Sequence, residues 1–355
     1  MTSPRNRPLR KFLIVLCLMV VVSPLSGADK NVPTQTLLVG GDVMLGNWVI
    51  DHLKRDGMDY PFRAVRHILQ AADVRFFNLE APIGMADSLH RVKKSYTFAV
   101  PPEYRQAIEY SGADVVSLAN NHVLDYGTML ADSTVHFLLE MGINSVGYGT
   151  DLAAASRPFI KTGDVTIGFL AYSMTFPRSF WATDSTAGTA YPHEDYFTNR
   201  VAHTDSMADF TVVSFHWGSE NSDSTKKYQQ VFARRAIDAG ADLIIGHHPH
   251  VWQGFESYKG RLIAYSLGNF CFGSFSPTAL ESGLLEVRVS ADSIWDARIH
   301  PLDVKNVDVR FQPRPMRQPQ ADSFFHHIEM ISTRLDSLRT VNIRENGLLE
   351  WKYLP

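Results

Sequence analysis

The sequence predicts an α/β fold in which parallel strands end in polar side chains at one edge of a sheet. The clearest such strand spans residues 242–245, an apolar run that ends at Gly246 and is followed by His247, His248 and His250. Short apolar runs bounded by glycine are typical of buried parallel strands. Open α/β sheets bind their ligands beyond the carboxyl ends of such strands, so the histidines occupy a candidate binding position.

His248 and His250 are separated by Pro249. Residues i and i+2 point the same way in an extended segment, so both imidazoles are expected to converge on one ion. Imidazole is a common protein ligand for divalent metals such as Zn and Fe. The alternative is a surface loop that is rich in histidine without binding anything.

Earlier in the chain, four segments repeat this design of an apolar strand followed by ligand-type side chains. These side chains are Asp42; Asn78 and Glu80; Asn121 with His122; and His216. Each has an ordinary alternative role, such as a helix N-cap for Asp42 or a solvated turn for Glu80. Their repetition at strand ends favours a shared site.

A mixed set of Asp, Glu, Asn and His side chains suits Mn, Fe or Zn. The candidates are too many for one tetrahedral ion, and they fit two divalent ions that share a carboxylate. Two such ions activate a water and hold both the attacking and leaving oxygens of an in-line displacement, which is the chemistry of phosphoester hydrolysis.

The remaining pattern completes the α/β prediction. Helices are predicted over residues 48–55, 61–70, 129–140, 226–239 and 322–338, and an antiparallel strand pair over 283–289 and 293–300. The aromatic stretch 175–196 is expected to be either a substrate loop or a long surface connection. We divide the chain into a signal segment (1–28), a main domain (36–305) and a C-terminal strap with a helix (306–355).

Composition and charge fit an exported globular protein. The 355 residues are 45% hydrophobic and 20% charged, enough for a sizeable core. Arg5, Arg7, Arg10 and Lys11 precede an apolar run at 12–22 and then small residues, which is the pattern of a secretory signal. Cleavage near Ala28 would give a periplasmic or extracellular protein, and an uncleaved segment would give a membrane anchor.

Removal of that segment would change the formal charge from −3 to −7, because four cations and no acid would be lost. An acidic exported protein gives no electrostatic reason to expect nucleic acid as a partner. The mature chain would keep only Cys271, so no internal disulfide is expected.

Six motifs together resemble the bacterial capsule-synthesis, poly-γ-glutamate-associated CapA/PgsA family. They are GDVMLG at 41–46, NLEAPI at 78–83, SLANNHVLDYG at 117–127, HWGSE at 216–220, GHHPHV at 246–251 and YSLGNF at 265–270. That family is similar to calcineurin-like metallophosphoesterases. The resemblance implies a four-layer α/β/β/α sandwich with an active site at the strand carboxyl ends.

The resemblance also implies roles for individual residues. The metal ligands would be Asp42, Glu80, Asn121, His216, His248 and His250. His122 would be the catalytic group beside the leaving oxygen, and four residues would orient ligands or face the substrate: Asn78, Glu220, His247 and Asn269. Two departures are visible, since Met44 stands where metallophosphoesterases carry a histidine, and Asn78-Leu79-Glu80 replaces their Gly-Asp and bridging Asp.

Two functions follow as hypotheses. The first is an exported metal-dependent hydrolase that acts on a phosphoester or on an anionic envelope polymer such as poly-γ-glutamate. The second is a non-catalytic accessory or polymer-binding subunit of capsule synthesis and export, with a degenerate metal site and a membrane synthase complex as partner. Hydrolysis of nucleotides or nucleic acid is disfavoured by the export signal and the acidic charge.

Overall fold

The computed structural model describes residues 32–291, 293–335 and 341–351, and the predicted signal segment lies outside them. The chain from Pro33 onward forms one compact unit. Numbered along the chain, the strands are β1 Gln35–Met44, β2 Val74–Leu79, β3 Val115–Ser117, β4 Asn144–Val146, β5 Tyr148–Gly149, β6 Phe159–Lys161, β7 Ile167–Ser173, β8 Gly188–Thr189, β9 Phe210–His216, β10 Leu243–His247, β11 Phe255–Tyr258, β12 Arg261–Ala264, β13 Asn269–Phe272, β14 Glu281–Val289, β15 Ile294–Asp303, β16 Arg314–Pro315, β17 Val341–Ile343 and β18 Leu349–Trp351.

The helices alternate with these strands over much of the chain. They are α1 Val49–Asp56, α2 Arg66–Ala71, α3 Gln106–Glu109, α4 Gly127–Glu140, α5 Leu152–Ala155, α6 Glu194–Asp205, α7 Lys227–Asp238, α8 Asn306–Val309 and α9 Gln320–Thr333. The predicted helix over 61–70 is instead a 3-10 turn, Tyr60–Val65, followed by α2. No helix in the described ranges has the length and apolar character that a membrane span requires.

Two sheets form the centre of the fold. The larger has the order β16-β15-β14-β1-β2-β3-β4, with β13 also paired to β1, and its β1–β4 portion is parallel. The smaller has the order β11-β12-β10-β9-β7-β6 with a parallel centre. The predicted antiparallel pair near 283–300 is confirmed as β14 and β15.

Three buried apolar layers establish the four-layer α/β/β/α sandwich, which confirms the predicted fold class. The layer between the sheets is formed by one face of each, as where the Phe76 ring of β2 stacks on Phe169 of β7 at 5.5 Å. The opposite face of β2, at Phe77 and Leu79, packs with α1–α4. Because adjacent strand residues point to opposite faces, a strand covered on both sides is apolar throughout.

The C-terminal segment packs into the layer between the sheets. Phe324, Ile328 and Ile331 of α9 are buried there. The ring of Phe324 contacts Trp252 edge-on at 5.3 Å, and the Ser332 hydroxyl accepts a hydrogen bond of 2.8 Å from the Phe255 amide. Helix α9 therefore supports the chain that immediately follows the histidine turn.

A close backbone approach next to the site requires glycine at position 41. A Cβ atom there would lie 1.9 Å from the backbone oxygen of Gly268, and neither strand can move aside because the Asp42 amide donates to that same oxygen at 2.9 Å. We expect Gly41→Ala to lower the free energy of unfolding by about 3 kcal/mol, measured by urea denaturation.

The matched control for this variant is Gly163→Ala. An added Cβ at 163 would meet only the amide end of the flexible Gln35 side chain, so a small loss of stability is expected. Equal losses in the two variants would contradict the assignment of Gly41 to a steric role.

Candidate metal centre

The carboxyl ends of strands from both sheets place the predicted site residues together. Parallel pairing sets Asp42 of β1 beside Asn78 of β2 and Asn269 of β13. In the other sheet, parallel pairing sets His216 of β9 beside His247 of β10. Glu80 follows β2 directly, and the turn after β10 supplies the remaining histidines.

Two groups of ligand-type atoms meet at Glu80. Glu80, His216 and His248 form one group, and Asp42, Glu80 and His250 form the other, with the ligand atoms of each group within 4.8 Å of one another. The Glu80 Oε1 atom lies 3.7 Å from His216 Nε2 and 3.9 Å from His250 Nε2. Both groups therefore share one carboxylate, an arrangement compatible with a two-ion centre.

Asn121 joins the first group through its side-chain oxygen, which is 2.8 Å from His216 Nε2. Two oxygen donors and two imidazoles then surround one position, a set suited to Mn, Fe or Zn. The second group keeps three residues, because Met44 is not available as a ligand. Met44 is fully buried in the layer under α1, and its sulfur accepts a hydrogen bond from the Gly46 amide at 3.2 Å.

Asn78 holds the two carboxylates in place. Its amide nitrogen donates to Asp42 Oδ1 at 2.8 Å and to Glu80 Oε2 at 3.2 Å, and Asn120 donates to the Asn78 oxygen at 3.2 Å. An asparagine suits this position, since a third acid between these two carboxylates would repel both.

Glu80 itself carries an unsatisfied oxygen. The residue is fully buried, and no described group forms a hydrogen bond with Oε1. Burial, followed by the charge of Asp42, raises the pKa of Glu80 well above its usual value. A buried carboxylate oxygen without a donor is costly in a protein, and a cation at this position would compensate for it.

The histidines of the first group favour their neutral, metal-binding form. Burial lowers the pKa of His216 well below its usual value and that of His248 to about 3. The pKa of His250 shifts in the opposite direction. Burial alone would lower this pKa, but the hydrogen bond to Asp42 raises it above its usual value. Burial raises the pKa of Asp42, but His247 and His250 outweigh it and the pKa falls well below normal.

The turn that carries His248 and His250 differs from the extended segment expected from sequence. His248 has φ 95° and His250 has φ 61°, a left-handed backbone that is uncommon outside glycine. Consequently the two rings diverge, with centroids 6.0 Å apart, and each His enters a different group of ligands. Backbone strain of this kind concentrates at functional sites.

His122 lies beside the ligand groups without entering either. Its Nε2 atom is 3.9 Å from Glu80 Oε1, and its Nδ1 atom is 2.6 Å from Asp125 Oδ2. The ring packs on Phe98 at 4.2 Å, and burial lowers the pKa of His122. Nε2 is thus directed toward the centre while Asp125 fixes the ring from behind.

Lys94 and Asp125 support His122, and neither was assigned a role from sequence. The Lys94 ammonium is 2.8 Å from Asp125 Oδ1 and 3.3 Å from His122 Nδ1, and it also donates to the Asn121 carbonyl. Asp125 stands three residues after His122, a spacing that could have revealed it. Lys94 lies 28 residues before His122 in an irregular segment, where no sequence pattern indicates that the two residues are in contact.

We expect Asp125→Asn to reduce turnover about a hundredfold while leaving the metal content unchanged, since groups that orient a catalytic or ligating side chain carry about that effect. The asparagine oxygen would keep the hydrogen bonds from His122 Nδ1 and the Phe98 amide, while its amide nitrogen would face the Lys94 ammonium. The negative charge that stabilises a protonated His122 would therefore be lost. Steady-state kinetics and elemental analysis of the same preparation measure both quantities. A loss of metal would instead show that Asp125 shapes the ligand groups.

The other residues predicted to orient ligands occupy distinct places. Asn269 Oδ1 is 2.9 Å from His250 Nδ1, and His247 Nδ1 is 3.5 Å from Asp42 Oδ1. His247 is fully buried, and neither ring nitrogen has a described hydrogen-bond partner. Glu220 is exposed and lies at the mouth of the site.

A cleft of about 410 Å³ opens onto this centre. His122 and His250 lie at its inner end with Asn269, and Glu220, Trp48, Tyr96 and Phe275 line its outer part. A larger groove, about 530 Å³ beside α4 and β5, contains none of the predicted site residues. The aromatic stretch near 175–196 does not line the cleft; its Trp181 ring stacks on Tyr191 at 4.0 Å.

Comparison with known proteins gives the family. The model for the bacterial capsule synthesis protein PGA_cap matches residues 36–274, a span that includes every residue from Asp42 to Asn269. The chain belongs to the PGA_cap family. Within it, the "PGA biosynthesis protein CapA" of Bacillus subtilis (strain 168) is 30% identical over 266 residues, covering 74% of this chain and 70% of that protein.

A second relative covers more of the chain. A "Probable polyglutamine synthesis accessory protein" of Mycobacterium tuberculosis is 31% identical over 377 residues, covering 90% of this chain and 96% of that protein. Among solved structures, the 5'-nucleotidase from Candida albicans SC5314 has a TM-score of 0.44 and 12% identity, covering 78% of this chain and 53% of the other. That likeness is too low to support an inference, so the family assignment rests on the sequence matches.

Proposed function

We propose that this PGA_cap-family chain is an exported metal-dependent hydrolase acting in the metabolism of capsule poly-γ-glutamate or another envelope polymer. The observation that carries the proposal is the pair of buried ligand groups sharing Glu80, whose Oε1 atom has no described hydrogen-bond partner. The basic and apolar N-terminal pattern supports export. The substrate of such a hydrolase is a phosphoester or an anionic polymer of the envelope.

Two divalent ions of Mn, Fe or Zn fit these residues. Asn121, His216, His248 and Glu80 would hold one, and Asp42, His250 and Glu80 the other. Such a pair supplies a water acidic enough to act as nucleophile at neutral pH and neutralises charge on the reacting oxygens.

The protein's own residues perform the rest of the reaction. His122 Nε2 faces the centre, and when the ring is protonated at both nitrogens this atom can give its proton to the leaving oxygen or donate a hydrogen bond to transition-state oxygens. Asp125 accepts a hydrogen bond from His122 Nδ1, and Lys94 fixes Asp125 in turn. Asn78 keeps the carboxylates apart, and Asn269 orients His250.

One observation favours the alternative of a non-catalytic accessory subunit that binds polymer beside an export or synthase complex. Met44 occupies the position of a histidine ligand and is packed in the core, which leaves the Asp42 group with three residues. A site weakened in this way would suit a structural role for the metal.

Elemental analysis of the purified chain separates these functions. We expect close to two ions of Mn, Fe or Zn per chain, with at least one lost in each of Asp42→Ala and His248→Ala, because each substitution removes a member of one group. His136→Ala, on the exposed face of α4, is the control and should keep both ions. If the chain takes up no ion after reconstitution with metal, the hydrolase proposal is overturned and the accessory role remains.

A further inference from the structure

Three aromatic side chains of the cleft each expose more than half of their surface. Trp48 is 57%, Tyr96 71% and Phe275 52% exposed, although they come from three separate segments. The Trp48 and Phe275 rings are tilted against each other with centroids 5.8 Å apart. Clustered exposed apolar groups around a polar centre are typical of ligand sites.

The only formal charge among the described lining residues of the cleft is negative, when its histidines are neutral. Of the described residues that line it, none is Lys or Arg, and Glu220 is the only acid. No described residue forms an ion pair or hydrogen bond with the Glu220 carboxylate. Lys94 lies behind His122, where its ammonium is paired with Asp125.

The aromatic faces are likewise free of internal cations. Elsewhere in the described chain, Lys and Arg side chains lie over aromatic rings, as Arg288 does over Trp295. No such cation lies over Trp48, Tyr96 or Phe275 in the described ranges. An aromatic face presents negative charge and attracts a cation, so these rings and Glu220 all favour the same kind of group.

Glu220 is held in place by its neighbours. The Asn221 amide donates to the Pro249 carbonyl at 2.8 Å, inside the histidine turn, and the Thr278 hydroxyl donates to the Asn221 side chain. The Gly218 amide donates to the Tyr228 hydroxyl at 2.7 Å. The segment that carries Glu220 is therefore anchored to Pro249 of the histidine turn on one side and to Tyr228 of α7 on the other.

We propose that the outer cleft binds an ammonium group, using the faces of Trp48, Tyr96 and Phe275 with the Glu220 carboxylate, while an anionic group of the same ligand occupies the inner end near His122 and His250. The placement of the anionic group rests on the proposed function. The cleft volume of about 410 Å³ suits a small zwitterion or one chain end.

This assignment narrows the range of expected substrates. A run of carboxylates along the cleft would meet Glu220 and no Lys or Arg among the described lining residues, so the middle of a polyanion is disfavoured. An ammonium next to an anion occurs in two sources, the amino end of a γ-linked glutamate chain and an ester of the phosphocholine type. Both present the same chemistry to the cleft.

The experiment compares a phosphoester that carries an ammonium group with a phosphoester that carries none. Phosphocholine and glycerol 3-phosphate are titrated into the metal-loaded full-length protein by isothermal calorimetry. We expect phosphocholine to bind about tenfold more tightly, and this ratio to fall close to one in Glu220→Gln and in Trp48→Ala. Glu109→Gln on α3 and Trp295→Ala on β15 change exposed residues outside the cleft lining and should keep the ratio.

Equal binding of the two ligands by the native chain would overturn the inference, as would a ratio unaffected by Glu220→Gln. Tighter binding of adenosine monophosphate than of phosphocholine would also overturn it, since the rings would then stack on a flat base. A γ-glutamate oligomer with a free amino end, compared with its acetylated form, identifies the polymer source if only the free end binds.

Hydrolysis is assayed separately with the same ligands, so that the two proposals fail independently. Preferential binding of phosphocholine without hydrolysis of any ligand would overturn the hydrolase and keep the ammonium site. Hydrolysis of both esters without a binding preference would overturn the ammonium site and keep the hydrolase. Binding of choline alone, which has no anionic group, tests the outer cleft without reference to metal.

Discussion

Glu80→Gln is expected to abolish metal binding at both positions and to reduce hydrolysis on the order of a thousandfold. The substitution keeps the shape of the side chain and its acceptor for Asn78 but removes the charge shared by the two ligand groups. Elemental analysis and turnover measurements on the same preparation report both effects.

The same substitution should stabilise the metal-free protein. The buried Oε1 atom of Glu80 has no described hydrogen-bond partner, so removing its charge is expected to raise the free energy of unfolding by about 1–3 kcal/mol. Added Mn should raise the melting temperature of the native chain and not of the variant. Glu109→Gln, on the surface of α3, is the control; unaltered metal content in Glu80→Gln would contradict the shared role of this carboxylate.

His122→Ala should reduce hydrolysis of an alkyl phosphoester by about 10²- to 10⁴-fold while leaving the metal content unchanged. His122 lies outside both ligand groups, and its Nε2 atom, 3.9 Å from Glu80 Oε1, is the proposed proton donor. A nitrophenyl ester, whose leaving group needs little protonation, should lose much less activity. The comparison of the two esters in one variant provides the measurement.

Two outcomes would change the role of His122. Equal losses for both esters would show that it donates to transition-state oxygens and not to the leaving group. A fall in metal content would make it a ligand. His136→Ala, an exposed histidine of α4, controls for the loss of an imidazole.

Much of the fold and part of the site could be predicted from sequence, because both rest on local patterns. Apolar runs flanked by glycine indicated strands such as β10, and the polar groups at their ends, including Asp42 and His216, lie together in the structure. Parallel strands bring their carboxyl ends to one edge, so the approximate position of these residues followed from topology.

What could not be predicted depends on contacts between irregular segments. Lys94 reaches Asp125 from a loop without periodicity, and Trp48, Tyr96 and Phe275 meet only through tertiary packing. The left-handed backbone at His248 was also missed, since the sequence rule for extended chains places both imidazoles on one side. Backbone conformations outside the common regions leave no signal in hydrophobic patterning.

The contact between Trp252 and Phe324 has a consequence for the order in which the site is completed during synthesis. The histidine turn ends two residues before Trp252, but the helix that supports this tryptophan begins about seventy residues later in the chain. A nascent polypeptide that has produced all the ligand residues still lacks this support. The turn therefore gains this support only after nearly the whole chain has been released, and we expect the proposed metal to be acquired in the compartment where folding ends.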